Sequence, residues 1–213
     1  MKTVKILNLY NEALELNGDT MNVTAFTNRL EEMGCGYELC TAGVGEKADF
    51  SAFDIVFVCH GKPRNVSAVS GDFVSRREDF IAAADSGVPM LFTGSANMLL
   101  GKDFEMLDGK TYSGAGLFDF TCREFDGMYV SDAMLVPSFA PENKMFGTYY
   151  RCEKVEFGKD EPNLFSVSKK EADGKHKTNH NKVKNRQILR CFQGKRLYDN
   201  KVLRYLQRRT DTV

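Results

Sequence analysis

The chain has 213 residues, 42% of them hydrophobic and 27% charged, which is ordinary for a folded protein and long enough for one sizeable core. Lys plus Arg and Asp plus Glu balance at 29 each, so neither a uniformly basic nucleic-acid binder nor an acidic disordered chain is indicated. No run approaches the roughly 18 apolar residues of a membrane span, and the one after Met1 is too short for a secretory signal. A cytoplasmic protein is therefore expected. Six cysteines (Cys35, Cys40, Cys59, Cys122, Cys152 and Cys191) include no C-x-x-C pair, so neither a zinc site nor a redox dithiol is signalled, and no cofactor or metal is expected.

Val4 to Leu9 alternates apolar and polar residues and reads as a first strand. Asn17 to Asn22 is dense in turn formers, and Asn22 is the expected N-cap of a helix with Val23, Phe26, Leu30 and Met33 on its apolar face. Tyr37 to Thr41 reads as a second strand. Asp54 to Cys59 is the clearest buried strand and leads into His60-Gly61-Lys62-Pro63. A helix over Ser70 to Asp85 follows, with Phe73, Arg77, Phe80 and Ala84 in register and Gly87 as its stop.

Val88 to Gly101 carries the main functional signal. Val88 to Phe92 has the length of a buried strand, Gly94 permits a sharp turn with φ > 0, and Ser95 is read as the N-cap of a helix that Gly101 closes. A strand–tight turn–helix unit is the architecture of a nucleophile elbow, which lifts the turn residue to the mouth of a sheet. Here that residue is glycine, which has nothing to react with. The alternation of strands and helices calls for an α/β fold with a mostly parallel sheet, in which ligands bind beyond the carboxyl ends of the strands. That brings the Cys59-His60-Gly61 loop and the Gly94-Ser95 turn to one rim.

After Gly101 the short β-like segments Met128 to Val130, Met134 to Pro137 and Gly147 to Val155 suggest hairpins appended to the sheet edge. Residues 158–187 are polar and charged, and are read as an exposed loop within a single domain spanning 1–213. Ile188 to Gln193 reads as a returning strand, and Asp199 as the cap of a final amphipathic helix. Lys175 to Val213 holds twelve Lys or Arg against two Asp, a positive end that the remainder of the chain balances.

Several segments together resemble the cobyric-acid-synthase type of class I glutamine amidotransferase domain, and especially the glutaminase subunit of lipid II isoglutaminyl synthase. Leu9-Tyr10-Asn11-Glu12-Ala13-Leu14-Glu15-Leu16-Asn17-Gly18-Asp19-Thr20-Met21-Asn22-Val23 is similar to that subunit's opening, L-Y-P-x-L-L-N-L-Y-G-D-x-G-N-V. Gly114 to Asp119 is similar to its G-L-G-L-L-D, and Met98-Leu99-Leu100-Gly101 to the end of C-G-G-Y-Q-L-L-G. Phe192-Gln193-Gly194, followed by Asp199-Asn200, is similar to L-H-G-P with its trailing helix. The resemblance implies a flavodoxin-like fold, helices on both faces of the sheet, and glutamine hydrolysis by a histidine-activated cysteine that feeds ammonia to a Mur-ligase-like, ATP-dependent synthetase. Carried over by position, the nucleophile falls on Gly94, the base on Gln193 and the oxyanion loop on Cys59-His60-Gly61-Lys62-Pro63. A glutaminase fold without glutaminase chemistry is expected. Its pocket would be framed by Cys59, His60, Gly61, Gly94, Ser95 and Gln193, and it would act as a binding or regulatory subunit.

Alternatives stay open. A Ser95–His60 or Cys59–His60 pair would be a substitute dyad, and free N–H groups at Gly94 to Asn97 would suit a carboxylate or phosphate. His176 and His180, four apart in a polar stretch, are read as solvated and not as metal ligands. Lys182, Lys184, Arg186, Arg190, Lys195 and Arg196 would suit a nucleic-acid backbone, although only Phe192, Tyr198 and Tyr205 are interleaved for stacking.

Overall fold

The computed structural model describes residues 3–137, 141–158, 165–169 and 190–192. Four strands, β1 (Val4–Leu9), β2 (Tyr37–Ala42), β3 (Ile55–Val58) and β4 (Met90–Phe92), form a parallel sheet in the order β2-β1-β3-β4. The helices α1 (Met21–Glu32), α2 (Pro63–Ser75) and α3 (Arg77–Asp85) lie in the connections. This α/β arrangement is compatible with a flavodoxin-like fold. The order reverses between β1 and β3, so the chain leaving these two strands diverges and leaves a crevice at their carboxyl ends.

The central strands are buried on both faces, which explains why β3 is a continuous apolar run and why Leu7 breaks the alternation read in β1. On one face Val4, Ile6 and Phe57 pack with Val23 and Leu30 of α1. On the other, Leu7, Leu9, Val56 and Val58 join α2, α3 and an aromatic cluster. In that cluster Phe50 stacks on Phe80 at 4.3 Å between centroids, and Phe73 meets Phe92 edge-on at 5.7 Å.

The helices differ from the sequence reading in local detail. Asn22 lies inside α1 and is not its cap: the N-cap is Thr20, and the Asn22 amide donates back to the Asp19 carbonyl. The helix expected to begin at Ser70 begins at Pro63, whose fixed φ suits the first helical position. It then breaks at Arg76, with φ −93° and ψ 6°. Gly101 is no left-handed cap, having φ −75°. A side chain there would meet the Phe120 carbonyl at 2.7 Å, so close packing selects the glycine.

The region after Gly101 forms a sheet of its own, where hairpins at the edge of the first sheet were expected. Strands β5 (Asp103–Glu105), β6 (Thr111–Ser113), β7 (Phe120–Pro137) and β8 (Met145–Phe157) pair in the order β6-β5-β7-β8. The segments read as several short strands merge into the long β7–β8 hairpin, which is interrupted by a bulge between Glu124 and Tyr129. Residues 158–187 are not all loop: Phe165–Lys169 forms β9, antiparallel to β7. Its alternation of Phe165 and Val167 with serines is a strand period that the polar surroundings obscure. Phe104, Phe118, Phe120 and Cys122 belong to the same buried cluster as the parallel sheet. Ser70 donates to the Ser113 carbonyl at 2.7 Å and Arg77 to the Ala115 carbonyl at 2.8 Å, tying α2 and α3 to this second sheet.

The returning strand is present as β10 (Arg190–Phe192), antiparallel to β4 with Arg190 opposite Phe92 and Phe192 opposite Met90. Gln193, the final helix, His176, His180 and all of the basic candidates except Arg190 lie outside the described residues. No helix among the described residues is long and apolar enough to cross a membrane.

Candidate functional site

Three segments converge at the carboxyl ends of β1, β3 and β4, and each is fixed by its sequence. Strand β4 ends at Phe92, and the Thr93 N–H donates to the Val58 carbonyl at 3.1 Å, carrying the parallel pairing up to the turn. Gly94 then adopts φ +49°, the left-handed conformation that glycine alone adopts without strain. A 3₁₀ turn follows over Gly94–Leu100, and every residue from Ser95 to Leu100 is buried. The elbow read from the sequence is therefore present. Its backbone is wound more tightly than an α-helix, and its N-cap is Thr93, where Ser95 was expected.

His60 fills the place that a side chain on Gly94 would take. A Cβ built on Gly94 would lie 2.7 Å from the imidazole Cγ and 3.1 Å from the His60 Cβ, with Nδ1 closer still. The ring is anchored there: the Ser95 N–H donates to Nδ1 at 2.9 Å, and the Ser95 Oγ lies 3.0 Å from the same nitrogen. Since a backbone N–H can only donate, Nδ1 must be the unprotonated nitrogen and Nε2 carries the proton. Burial lowers the pKa of His60, and the Asp19 carboxylate works in the opposite direction.

Asp19 joins the three segments. Its Oδ2 accepts the His60 N–H at 2.6 Å and a very short hydrogen bond from the Thr93 hydroxyl. An acidic residue in the loop after β1 was passed over as turn chemistry. The available signal was topological, because the order β2-β1-β3 puts the loop after β1 in the crevice. Asp19→Ala would leave a backbone N–H and a hydroxyl without their acceptor in a partly buried setting. A loss of about 1–3 kcal/mol is expected by urea denaturation, with Asp19→Asn losing less because it still accepts.

The candidate nucleophiles are committed elsewhere. Ser95 is 1% exposed, and its hydroxyl donates a very short hydrogen bond to the Gly61 carbonyl. Its single proton is thus spent, and the Nδ1 lone pair is taken by its own N–H. The Ser95–His60 proximity entertained from the sequence is real, but it locks two loops together. Cys59 faces away from His60, as neighbours at a strand end do: its Sγ lies 3.6 Å from the Asn8 Oδ1 and 3.9 Å from the Asp19 carbonyl. Burial, followed by the nearby charges of Asp19 and Glu15, pushes its thiol up to about 12, so at neutral pH it is not the thiolate a nucleophile requires. Gly61 is buried and close-packed, since a Cβ there would lie 2.6 Å from the Leu14 Cδ2.

The free N–H groups expected at Gly94 to Asn97 are not all available, because that of Ser95 is spent on His60. Asn97, which the sequence reading did not single out, donates to the Gly94 carbonyl at 2.9 Å and pins the turn. The direction of β10 matters too. It places Arg190 beside Phe92 at the rim end of β4 and Phe192 beside Met90 at the other end. Among the described residues no group of three or more His, Cys, Asp or Glu could hold a metal ion.

The rim thus belongs to an α/β protein with a strand–turn unit of nucleophile-elbow shape, a glycine at its apex and an imidazole in the space above it. In comparisons with known proteins, no family model matches the chain and no curated protein matches it in sequence.

Proposed function

We propose that the chain is a class I glutamine amidotransferase-like protein that has lost glutaminase chemistry and acts through binding, as a scaffold or regulatory subunit of a Mur-ligase-like or other ATP-dependent synthetase in the cytoplasm. The observation that carries this reading is His60 seated over Gly94. A glycine alone leaves an empty position, whereas a glycine whose side-chain space is filled and hydrogen-bonded leaves no room for a reacting carboxamide carbon against the turn. In a serine protease, the measured case for such machinery, losing the nucleophile or its base costs about 10⁶-fold in turnover. That corresponds to roughly 8 kcal/mol of transition-state stabilisation, more than the remaining backbone donors supply. The resemblance in chain order from Leu9 to Asn200 supports the subunit role. The test is co-purification of the tagged protein with an ATP-dependent ligase, followed by ligase kinetics with free ammonia. The expected result is a changed ammonia KM or a changed ligase stability, with no gain in glutamine-dependent turnover.

The Ser95 Oγ to His60 distance of 3.0 Å favours a second reading, a hydrolase with a non-standard dyad. It requires the Ser95 hydroxyl to leave the Gly61 carbonyl and reach solvent. Labelling by a fluorophosphonate probe that Ser95→Ala abolishes would establish it. Absence of labelling at neutral pH is the expected result.

A further inference from the structure

We propose that His60 is a proton-operated plug: neutral, it closes the space above Gly94, and protonated, it releases the Ser95 N–H and leaves. This goes beyond the proposed function and stands whether or not the chain is related to amidotransferases. It follows from hydrogen-bond bookkeeping at one nitrogen. Nδ1 accepts the Ser95 N–H at 2.9 Å, which only an unprotonated nitrogen can do. A proton added there would point at the hydrogen it now accepts. Among the described residues, the other acceptor recorded at that nitrogen is the Ser95 Oγ at 3.0 Å, and turning to it strands the N–H of a residue that is 1% exposed. An orphaned buried N–H is costly, so the protonated ring and the closed rim exclude one another.

The way out is open. Gly94 is exposed and has no Cβ to block the ring, and His60 itself is half-buried. The charges around the ring set the direction of the coupling. Among the described residues, Asp19, from the segment after β1, is the charge that acts on His60, and it favours the cation. The turn over Thr93 to Asn97 brings no titratable group. On the ring's own segment Cys59 faces away and Lys62 is exposed. Asp19 also holds the His60 backbone N–H at 2.6 Å, so the main chain stays anchored while the side chain moves.

The sign is that of a buried neutral histidine. The closed rim binds the proton more weakly than the open rim, so closure is complete at neutral pH and above. It weakens as the pH falls from the ordinary value of about 6.5 toward the closed-state midpoint. By linkage, the protection of the Ser95 amide against hydrogen exchange falls about tenfold for each pH unit across that window.

The experiment is an NMR titration of the ¹⁵N-labelled full chain between pH 8 and pH 5. It follows the His60 ring, the Ser95 amide shift and the Ser95 protection factor. The expected result is a His60 midpoint below the ordinary value, with the Ser95 amide moving at the same midpoint and losing protection there. His60→Gln can still accept the Ser95 N–H through Oε1 but cannot titrate, so in it the Ser95 amide stays in place across the range. Asp19→Asn removes the charge that favours the cation and shifts the midpoint further down. A Ser95 amide that is unmoved while His60 titrates would overturn the proposal. So would a movement that persists in His60→Gln.

Discussion

Gly94→Cys is expected to destabilise the protein by about 2–5 kcal/mol and to restore no glutamine hydrolysis. Two costs combine. A side chain at φ +49° carries roughly 1–2 kcal/mol of backbone strain. Its Cβ would also press on the imidazole, with Cγ at 2.7 Å, and overpacking of this kind costs about 1–3 kcal/mol unless His60 gives way and forfeits its bond from Ser95. Chemical denaturation of Gly94→Cys, His60→Gly and the double variant separates the two. The double variant keeps the strain and loses the clash, so a coupling of about 1–3 kcal/mol in its favour is expected. Additive effects would mean that His60 does not occupy the position.

Asp72→Ala carries the largest expected loss of stability, about 3–5 kcal/mol. The Asp72 carboxylate is the hub of a network that ties α2 to the segments following β1 and β2. Arg76 donates to it through Nε at 2.6 Å and Nη2 at 3.1 Å, the Gly45 N–H donates at 2.9 Å, and the Tyr10 hydroxyl donates a short bond. The side chains of Asp72 and Arg76 are only 13% and 10% exposed. Tyr10 itself sits at φ +58°, an unusual conformation for a bulky residue, at the end of β1. Removing the carboxylate takes the counter-charge from a nearly buried guanidinium, which keeps its 3.4 Å bond to the Gly43 carbonyl, and the acceptor from a buried phenol. Asp72→Asn should cost less, since it keeps one acceptor. Burial works to raise the pKa of Asp72, but hydrogen bonds from Arg76, Tyr10 and Gly45 outweigh it and hold the group below the usual carboxylate range. Its folded pKa is thus the lower one. The contribution is complete above the unfolded value of about 3.9 and is lost as the pH falls through the folded value. Urea denaturation at pH 7 and near pH 3 should show the gap between wild type and Asp72→Ala narrowing in acid.

What could be read from the sequence was local. The sheet announces itself in the alternation of Val4–Leu9 and in Ile55–Val58, where a strand buried on both faces is apolar throughout. The sharp turn at Gly94 and its shared rim with His60 follow from glycine after an apolar run and from the geometry of parallel sheets. Contacts between distant segments were not legible. Nothing in Asn17 to Asn22 distinguishes an aspartate that caps a turn from one that receives the His60 N–H 41 residues away. Ser95 reads as a cap by propensity, but the tight 3₁₀ turn points its hydroxyl to Gly61. The break at Arg76 was not legible either, since the helix signal continues through it, and the Arg76 contact with the Gly43 carbonyl spans 33 residues. In the second sheet the polar surroundings of β9 hid a strand that pairs with β7.

Glutamine hydrolysis by the purified chain, measured as ammonia released at neutral pH, tests the central claim most directly. Turnover indistinguishable from that of Ser95→Ala and His60→Gln, and from buffer, is the result that a plugged, glycine-tipped elbow requires. Sustained turnover by the wild type that either substitution abolishes would contradict it, because Ser95 and His60 would then be reacting groups and not a lock.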